Sequence, residues 1–284
     1  MSKRNKKTYK QMSFLPQTLV SIIIPVYRRF DILAKCLESL PAAFDEIDYE
    51  VIIIDNGSPE DEKLLIYPEL KKRPHYRIYE WTENRGFPKA CNFGAKNASS
   101  PLIFFLNSDV IMSPHSGAKT VALLDDPQVG VAGMKLLFPK TVEDVKLNQQ
   151  IRPSNMIQHI GVAVNIRGEL HHVLSGWSAD NPKVLKIRNV HMVTGAALMT
   201  RKPLFTKVGG FFEGYGMGCF EDCDYCLTVR KLGYNIVVDS STYAIHYTGA
   251  TSEGYQIQYP INQNKFLFMQ RWMNQVSFSD WVYW

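Results

Sequence analysis

The sequence contains few cysteines and no long apolar run, and both shortages narrow what the protein can be. Its 284 residues include five cysteines, an odd number that does not suit a disulfide framework and indicates a reducing compartment. No stretch approaches the roughly 18 apolar residues that a membrane-spanning helix needs. The basic start of the chain is not followed by an apolar segment, so we expect no secretory signal. These features predict a cytoplasmic location, in solution or at the inner face of the membrane.

The sequence also has little net charge and lacks the common phosphate-binding loops. The net charge of +5 is densest in residues 1–17, which we interpret as a flexible basic tail. Contact of this tail with anionic lipid or nucleic acid is the alternative, and we expect no nucleic-acid partner. Neither Gly-x-x-x-x-Gly-Lys nor Gly-x-Gly-x-x-Gly follows the first apolar run. Any bound phosphates must therefore be neutralised by a metal ion and by side chains.

What the sequence does contain is a series of apolar runs that end in polar residues. The run of residues 102–106 is followed by Asn107, Ser108 and Asp109, and the run of residues 51–54 is followed by Asp55. Continuous runs of this kind are typical of buried strands in a parallel sheet. Helical patterns lie between them, as in βαβ units. The sequence therefore predicts an α/β fold with a single Rossmann-like, mostly parallel sheet flanked by helices.

Asn107 and Asp109 are candidate metal ligands because they directly follow a predicted buried strand. Ligands of open α/β sheets bind just outside the carboxyl ends of the strands. Residues two apart point to the same side of a strand, so the two side chains would aim their oxygens at one point. Such an oxygen pair suits Mg²⁺ or Mn²⁺. The alternative is an Asn-Ser-Asp turn that only caps the strand.

Three acidic residues, Glu221, Asp222 and Asp224, open a helix predicted over residues 221–232. The helix dipole favours acidic residues in a first turn by about 0.3–1 kcal/mol each, which is a sufficient structural reason for them. The functional alternative is a general base, since crowded like charges raise the pKa of one member toward neutrality. The glycine-rich aromatic stretch of residues 211–218 directly before the helix favours the functional interpretation.

Other residues carry weaker signals. Cys219, Cys223 and Cys226 include a Cys-x-x-Cys pair, but two of the three fall inside the predicted helix, which favours core packing over a zinc or redox site. His246 follows a strand and precedes Gly249, so a structural role and a ligand role both stay open. Residues 138–190 are predicted to be an irregular polar insertion. A C-terminal helix is predicted from an apolar stripe of Phe266, Met269, Met273 and Val276.

Five motifs occur together and in a fixed order. They are Val-Ser-Ile-Ile-Ile-Pro-Val-Tyr at residues 20–27, Val-Ile-Ile-Ile-Asp-Asn-Gly-Ser at residues 51–58, Asn-Arg-Gly-Phe at residues 84–87, Asn-Ser-Asp at residues 107–109 and Glu-Asp-x-Asp at residues 221–224. This ordered set resembles the family 2 glycosyltransferases of the GT-A fold, of the bacterial rhamnosyltransferase-like kind. The resemblance covers roughly residues 18–250.

The resemblance implies an inverting, metal-dependent glycosyltransferase. It would move one sugar from a nucleotide diphosphate sugar, with UDP or dTDP favoured, to a hydroxyl of a glycan or lipid-linked saccharide in cell-surface polysaccharide synthesis. It also divides the chain into a tail of residues 1–17, a nucleotide-sugar-binding half of residues 18–112, an acceptor-binding and catalytic half of residues 113–250, and a C-terminal helical extension of residues 251–284.

The resemblance also implies roles for individual residues. Asp109 would hold Mg²⁺ or Mn²⁺ with His246 as a further ligand, whereas Asn107 departs from the acidic residue that opens the family's Asp-x-Asp motif. Asp222 would be the catalytic base, with Glu221 beside it. The nucleotide sugar would be bound, with Asp55 reading its base, by Pro25, Tyr27, Asp55, Asn84, Arg85, Gly86, Lys89, Asn107 and Ser108.

Three alternatives to this interpretation exist. A nucleotidyltransferase should have a glycine-rich basic loop after the first strand, and a non-catalytic nucleotide-sugar-binding protein should have lost part of the carboxylate set; neither matches the sequence. Processive polysaccharide synthases carry Gln-x-x-Arg-Trp, whereas Arg271 and Trp272 here follow Phe268, so transfer of a single sugar is favoured. The aromatic C-terminus is compatible both with packing on the catalytic domain and with contact to a membrane interface.

Overall fold

The computed structural model describes residues 20–45, 47–64, 66–140, 151–164, 169–249 and 259–272. The proposed basic tail and most of the aromatic C-terminus lie outside these residues. None of the described helices is both long enough and apolar enough to span a membrane.

The described chain alternates strands and helices in its first half and is richer in strands in its second. The strands are β1 (Val20–Val26), β2 (Tyr49–Asp55), β3 (Tyr76–Glu80), β4 (Leu102–Leu106), β5 (Val110–Met112), β6 (Val129–Pro139), β7 (Pro153–His159), β8 (Val162–Val164), β9 (Leu170–His172), β10 (Ile187–Val190), β11 (Ala197–Arg201) and β12 (Asn235–His246). The helices are α1 (Phe30–Phe44), α2 (Glu60–Lys63), α3 (Tyr67–Leu70), α4 (Phe87–Asn97), α5 (Ser116–Leu123), α6 (Lys202–Lys207), α7 (Glu221–Lys231) and α8 (Ile261–Trp272), with a 3₁₀ turn at Glu213–Tyr215.

One large mixed sheet organises the molecule. Its order is β10-β12-β6-β11-β4-β1-β2-β3, with β5 paired to β12 and β7 paired to β6. The four strands of the first half are parallel, while β11 joins β4 to β6 by antiparallel pairing. All five residues of β4 are buried, because apolar clusters cover both faces of the sheet. The α/β fold with one sheet between helices is therefore confirmed, and β4 lies at its centre.

The second half is more ordered than the sequence suggested. The expected irregular insertion at residues 138–190 carries β7 and β10 of the main sheet and a separate hairpin, β8–β9. The apolar residues around 190–200 are divided between β10 and β11, and in the segment that joins them Gly195 donates its N–H to Asp222. Between β2 and β3 the chain forms the two short helices α2 and α3, and Pro68 lies in the first turn of the second.

The predicted apolar stripe of the C-terminal helix was wrong. In α8 the buried side chains are Asn264, Phe268 and Trp272, whereas Phe266 is 65% exposed. Hydrogen bonds decide this rotation: the Asn264 amide donates to the carbonyl of Tyr215, and the Trp272 indole N–H donates to Asp224. The remaining stripe positions, Met273 and Val276, lie outside the described residues.

Candidate active site

A cleft opens at the carboxyl ends of β1 and β4. It contains six of the side chains that the sequence singled out and five that it did not. The cleft is lined by Pro25, Val26, Tyr27, Asn56, Asn84, Phe87, Asn107, Ser108, Asp109, Met217 and Tyr259. Arg85 and Gly86 lie in sequence between the lining residues Asn84 and Phe87. A Cβ at Gly195 would lie 3.3 Å from both Cβ of Asp222 and the ring of Phe87, so Asp222 is close to this wall.

The candidate metal ligands Asp109 and His246 lie side by side. The last residue of β12 places the Nε2 atom of His246 3.4 Å from Oδ1 of Asp109. The Nδ2 atom of Asn107 lies 3.5 Å from the same imidazole nitrogen. Asp109 is only 6% exposed. Within the described residues no cluster of three or more His, Cys, Asp or Glu side chains could hold a metal, so the remaining coordination positions would belong to other oxygens.

Asp55 lies in the core, whereas its neighbour Asn56 lies in the cleft. Asp55 is fully buried, where its carboxylate accepts the N–H of Ser58 at 2.8 Å and lies 3.6 Å from the ammonium of Lys63. Asn56 is the residue that lines the cleft, and its Oδ1 accepts the N–H of Arg85 at 2.8 Å. The turn after β2 therefore reaches the cleft through Asn56, and contact of Asp55 with the base stays a prediction.

The Asn-Arg-Gly-Phe motif forms the turn that begins α4. Asn84 accepts the N–H of Gly86, which has a φ of 89°. A Cβ at Gly86 would lie 2.1 Å from the carbonyl oxygen of Gly216, so only glycine allows these two loops to meet. The guanidinium of Arg85 stacks 5.1 Å from the ring centre of Trp81 and is not part of the cleft wall.

Lys89, also predicted to bind the nucleotide sugar, is exposed on α4 and does not line the cleft. The expectation for Lys89 rested on its place near the Asn-Arg-Gly-Phe motif. Lys89 follows the motif by two residues, and the turn of α4 places its side chain on a different face of the helix from Phe87.

Asp222 is held at the start of α7 by two backbone N–H groups. Gly195 donates to its Oδ2 and Cys223 to its Oδ1, both at 2.7 Å. A carboxylate oxygen can accept more than one hydrogen bond, so both oxygens keep a free position. Asp222 is only partly buried. The arrangement fixes the side chain and leaves it able to take a proton.

Glu221 behaves differently although it is the adjacent residue. It is 5% exposed, and its Oε2 has no hydrogen-bond partner among the described residues. Burial, and secondly the charge of Asp222, raise the pKa of Glu221 well above its usual range. Burial disfavours the charged form of this carboxyl, so Glu221 is less suited than the partly buried Asp222 to accept a proton.

Asp224, the third acidic residue of α7, accepts hydrogen bonds from three side chains of neighbouring segments. It accepts hydrogen bonds from the Tyr215 hydroxyl at 2.9 Å, from Nε of Arg271 at 2.6 Å and from Nε1 of Trp272 at 2.8 Å. Together with the Asn264 amide, which donates to the carbonyls of Tyr215 and Gly218, it fastens α8 onto the loop that carries Met217. The Arg-Trp pair of the sequence thus supports one wall of the cleft.

Two histidines of the supposed insertion form an unexpected pair near Asp222. His159 is buried and lies 2.8 Å from His172 between their Nδ1 atoms, while Nε2 of His159 accepts the N–H of Thr194. Because Nε2 accepts, Nδ1 of His159 carries the hydrogen and donates to His172. Burial, and then the charge of His172, lower the pKa of His159 well below its usual value. No spacing in the sequence indicated this pair.

The cysteines are packed inside the protein. Cys223 and Cys226 are buried, Cys219 is partly buried, and all three are unpaired. Burial raises the pKa of each thiol, and nearby carboxylates raise it further for Cys219 and Cys223. Metal-binding and redox cysteines need the thiolate, so the structure favours the core-packing interpretation.

Comparison with known proteins identifies the family. The sequence model of the family "Glycosyl transferase family 2" matches residues 21–207. The O-antigen biosynthesis protein RfbC of Myxococcus xanthus is 28% identical over 240 residues, which cover 82% of this chain and 17% of that protein. The protein y4gI of Sinorhizobium fredii is 29% identical over 276 residues, which cover 93% of this chain and 28% of that protein. The chain therefore spans well under a third of the length of these relatives.

The fold has solved counterparts. The crystal structure of GalNAc-T7 with UDP, GalNAc and Mn²⁺ superimposes with a TM-score of 0.69 at 14% identity, covering 91% of this chain and 49% of the other. At this identity the likeness concerns the fold alone. The family match over most of the chain and the shared architecture agree with the motif order in the sequence: the chain belongs to glycosyl transferase family 2 and has the GT-A fold.

Proposed function

We propose that the protein is an inverting, metal-dependent glycosyltransferase that moves one sugar from a nucleotide diphosphate sugar to a hydroxyl of a glycan or lipid-linked saccharide. Family membership supports the reaction class. The relative named for O-antigen biosynthesis supports a role in cell-surface polysaccharide synthesis. Because the chain matches only 17% of that relative, the choice of donor and acceptor is argued from the chemistry of the site.

One observation carries this proposal: residues 195 and 196 hold both halves of the site. The carbonyl of Ala196 accepts the N–H of Asn107 at 2.9 Å, and the N–H of Gly195 donates to Asp222 at 2.7 Å. A Cβ at Gly195 would lie 3.3 Å from Cβ of Asp222, closer than most such contacts. The metal-bearing turn and the base are thereby kept at a fixed spacing, which a single displacement reaction requires.

The donor set fits a divalent cation. Asp109 supplies a buried carboxylate and His246 an imidazole nitrogen, and this mixture of oxygen and nitrogen suits Mn²⁺ or Mg²⁺. When bound, such an ion supplies positive charge that stabilises a diphosphate leaving group. Asn107 contributes a neutral oxygen at most, so Asp109 and His246 would carry the binding.

Asp222 would perform the proton transfer. Its carboxylate takes the proton of the acceptor hydroxyl as that oxygen attacks the anomeric carbon from the face opposite the diphosphate. The bond to the diphosphate breaks as the new glycosidic bond forms, so the anomeric configuration inverts without a covalent enzyme intermediate. Asp222 ends the step as a neutral carboxylic acid, while the proton that it has taken replaces its negative charge.

Asn56 is a second candidate, beside Asp55, for contact with the base. Its Oδ1 is occupied by the Arg85 N–H, which leaves Nδ2 to donate to a carbonyl oxygen of a base in the cleft. Uracil and thymine offer two such carbonyl groups, which supports UDP- or dTDP-linked donors. Pro25 and Tyr27 line the same end of the cleft.

A product assay tests the proposal and its rivals together. The protein is incubated with UDP-, dTDP- and GDP-sugars, with and without Mn²⁺, and thermal stabilisation selects the donor. Release of nucleoside diphosphate that depends on Mn²⁺ is expected. Pyrophosphate exchange into the nucleotide sugar would instead identify a nucleotidyltransferase, and binding without any product would identify a binding protein.

A further inference from the structure

Gln158 of β7 makes three contacts with residues 246–248, the segment that begins with the proposed metal ligand His246. Its Oε1 lies 2.6 Å from Nδ1 of His246. Its Nε2 lies 3.1 Å from the carbonyl oxygen of the same histidine and 2.5 Å from the hydroxyl of Thr248. Gln158 is only 7% exposed, so solvent does not compete strongly for these contacts.

The contacts fix the orientation of the Gln158 amide. A backbone carbonyl can only accept a hydrogen bond, so the group facing the His246 carbonyl must be the amide NH₂. The opposite atom of the amide, which faces Nδ1 of His246, is therefore the oxygen, and an amide oxygen can only accept. It follows that Nδ1 of His246 carries the ring hydrogen.

The neutral imidazole then has its lone pair on Nε2. That nitrogen faces Oδ1 of Asp109 at 3.4 Å and the amide of Asn107 at 3.5 Å, where the cation would be held. The opposite tautomer would present a hydrogen to the cation and could not bind it.

A local irregularity in the sheet gives Gln158 this position. Leu136 of β6 pairs with His159, and the next residue, Leu137, pairs with Ile157, so Gln158 is an extra residue in β7. A β-bulge of this kind re-aims the side chain of the extra residue and is common beside active sites. The bulge turns Gln158 toward the end of β12, where His246 stands.

We propose that Gln158 is a positioning residue that holds His246 in its Nδ1–H tautomer and so keeps Nε2 available to the divalent cation. The proposal rests on the proposed function only in assigning the cation to Asp109 and His246. The tautomer itself is a property of the protein without metal, and it can be measured without any assay of transfer.

Long-range ¹H–¹⁵N correlation spectra of the histidine rings test the proposal directly. The signal of His246 is assigned by its loss in His246→Asn. We expect the Nδ1–H pattern in the wild-type protein and in Gln158→Glu, which keeps an acceptor, and the Nε2–H pattern in Gln158→Leu. Gln128→Leu, at an exposed position, serves as the matched control. An Nε2–H pattern in the wild-type protein, or an unchanged pattern in Gln158→Leu, overturns the proposal.

Mn²⁺ affinity, measured by electron paramagnetic resonance with UDP present, supplies the second reading. Loss of a hydrogen-bond partner behind a metal-bound histidine typically weakens metal binding by about 10–100-fold. We expect this loss of Mn²⁺ affinity in Gln158→Leu but not in Gln158→Glu or Gln128→Leu. Full affinity in Gln158→Leu alongside a loss in His246→Asn refutes the role of Gln158. Full affinity in His246→Asn refutes the proposed metal site instead, and the tautomer spectra then still judge Gln158. If Gln158→Leu does not fold, Gln158→Met takes its place.

Discussion

Buried carboxylates at the two ends of the central sheet differ in how many hydrogen-bond partners the protein gives them. At the amino ends of β1 and β2, Glu50 accepts hydrogen bonds from the hydroxyl of Ser21 at 2.5 Å and from the N–H and hydroxyl of Ser99, both at 2.7 Å, and it pairs with Arg77. Burial raises the pKa of Glu50, but these hydrogen bonds and the charge of Arg77 outweigh it and hold the pKa below its usual value. Both oxygens of this carboxylate are paired with side chains of the fold, and Oε1 accepts three hydrogen bonds.

At the carboxyl ends of the strands the carboxylates have unused positions. Oε2 of Glu221 has no hydrogen-bond partner among the described residues, and each oxygen of Asp222 accepts one backbone N–H, from Gly195 and from Cys223. A buried polar atom without a hydrogen-bond partner lowers the free energy of unfolding by about 1–3 kcal/mol. Stability accounts for the network around Glu50, whereas the open carboxylates at the other end are better explained by a ligand. Substitutions at each end separate the two cases.

The largest effect is expected from Asp222→Asn. An asparagine keeps the size of the side chain but cannot take a proton, so transfer should fall by about 10²–10⁴-fold. Thermal stabilisation by the nucleotide sugar should remain. Asp125→Asn, at an exposed position outside the cleft, is the matched control and should be unaffected. Normal transfer by Asp222→Asn would show that the base lies elsewhere.

Glu50→Ala should break the opposite end of the sheet. It leaves two serines and Arg77 without their acceptor, and we expect the free energy of unfolding to fall by about 3 kcal/mol. Transfer per folded molecule should not change. The control Glu69→Ala removes only an exposed ion pair with Lys72 and should cost less than about 1 kcal/mol. Denaturant titration measures both, and equal losses would contradict the contrast between the two ends.

Asp109→Ala should abolish the effect of Mn²⁺ on the nucleotide. We expect the affinity for UDP in the presence of Mn²⁺ to fall by at least about tenfold, or about 1.4 kcal/mol, because the principal carboxylate ligand is gone. Without Mn²⁺ the affinity should match that of the wild-type protein. Calorimetry with and without the metal gives both values, and an Mn²⁺ dependence like that of the wild type would place the cation elsewhere.

The smallest effect concerns Glu221, and it has the opposite sign. A carboxyl group whose pKa is raised by folding binds more protons in the folded than in the unfolded state, so it lowers stability as pH rises above the ordinary glutamate pKa. Glu221→Gln should therefore raise the melting temperature by about 2–4 °C for each kcal/mol gained, more at pH 8 than at pH 5. A gain that is independent of pH would show that Glu221 is not protonated in the folded protein.

Sequence reasoning located the parts of this site that depend on single strands. Asn107 and Asp109 line the cleft because β4 is fully buried and the polar residues after its last position must leave the core. Sequence reasoning does not register which residue of a turn faces the cleft when tertiary contacts decide it. Asp55 is still the last residue of β2 and remains in the core, so only the next residue, Asn56, reaches the cleft.

Other parts of the site come from segments that no local pattern connects. Gln158 and His246 are 88 residues apart in sequence, and a one-residue bulge decides that they meet. Met217 and Tyr259 enter the cleft only because α8 is hydrogen-bonded to the loop before α7. The rotation of α8 itself follows from buried polar contacts of Asn264 and Trp272, which a hydrophobic pattern does not register.

The shared segment of residues 195 and 196 has an energetic consequence for the order of events at the site. Asn107 and Asp222 hydrogen-bond to adjacent residues, so this segment is a short structural route by which a ligand at one of them would affect the other. Such coupling between two binding events is reciprocal by thermodynamic necessity. If occupancy of the donor cleft increases acceptor affinity by some factor, the acceptor must tighten the hold on the donor by the same factor, and Gly195→Ala is the substitution most suited to uncouple them.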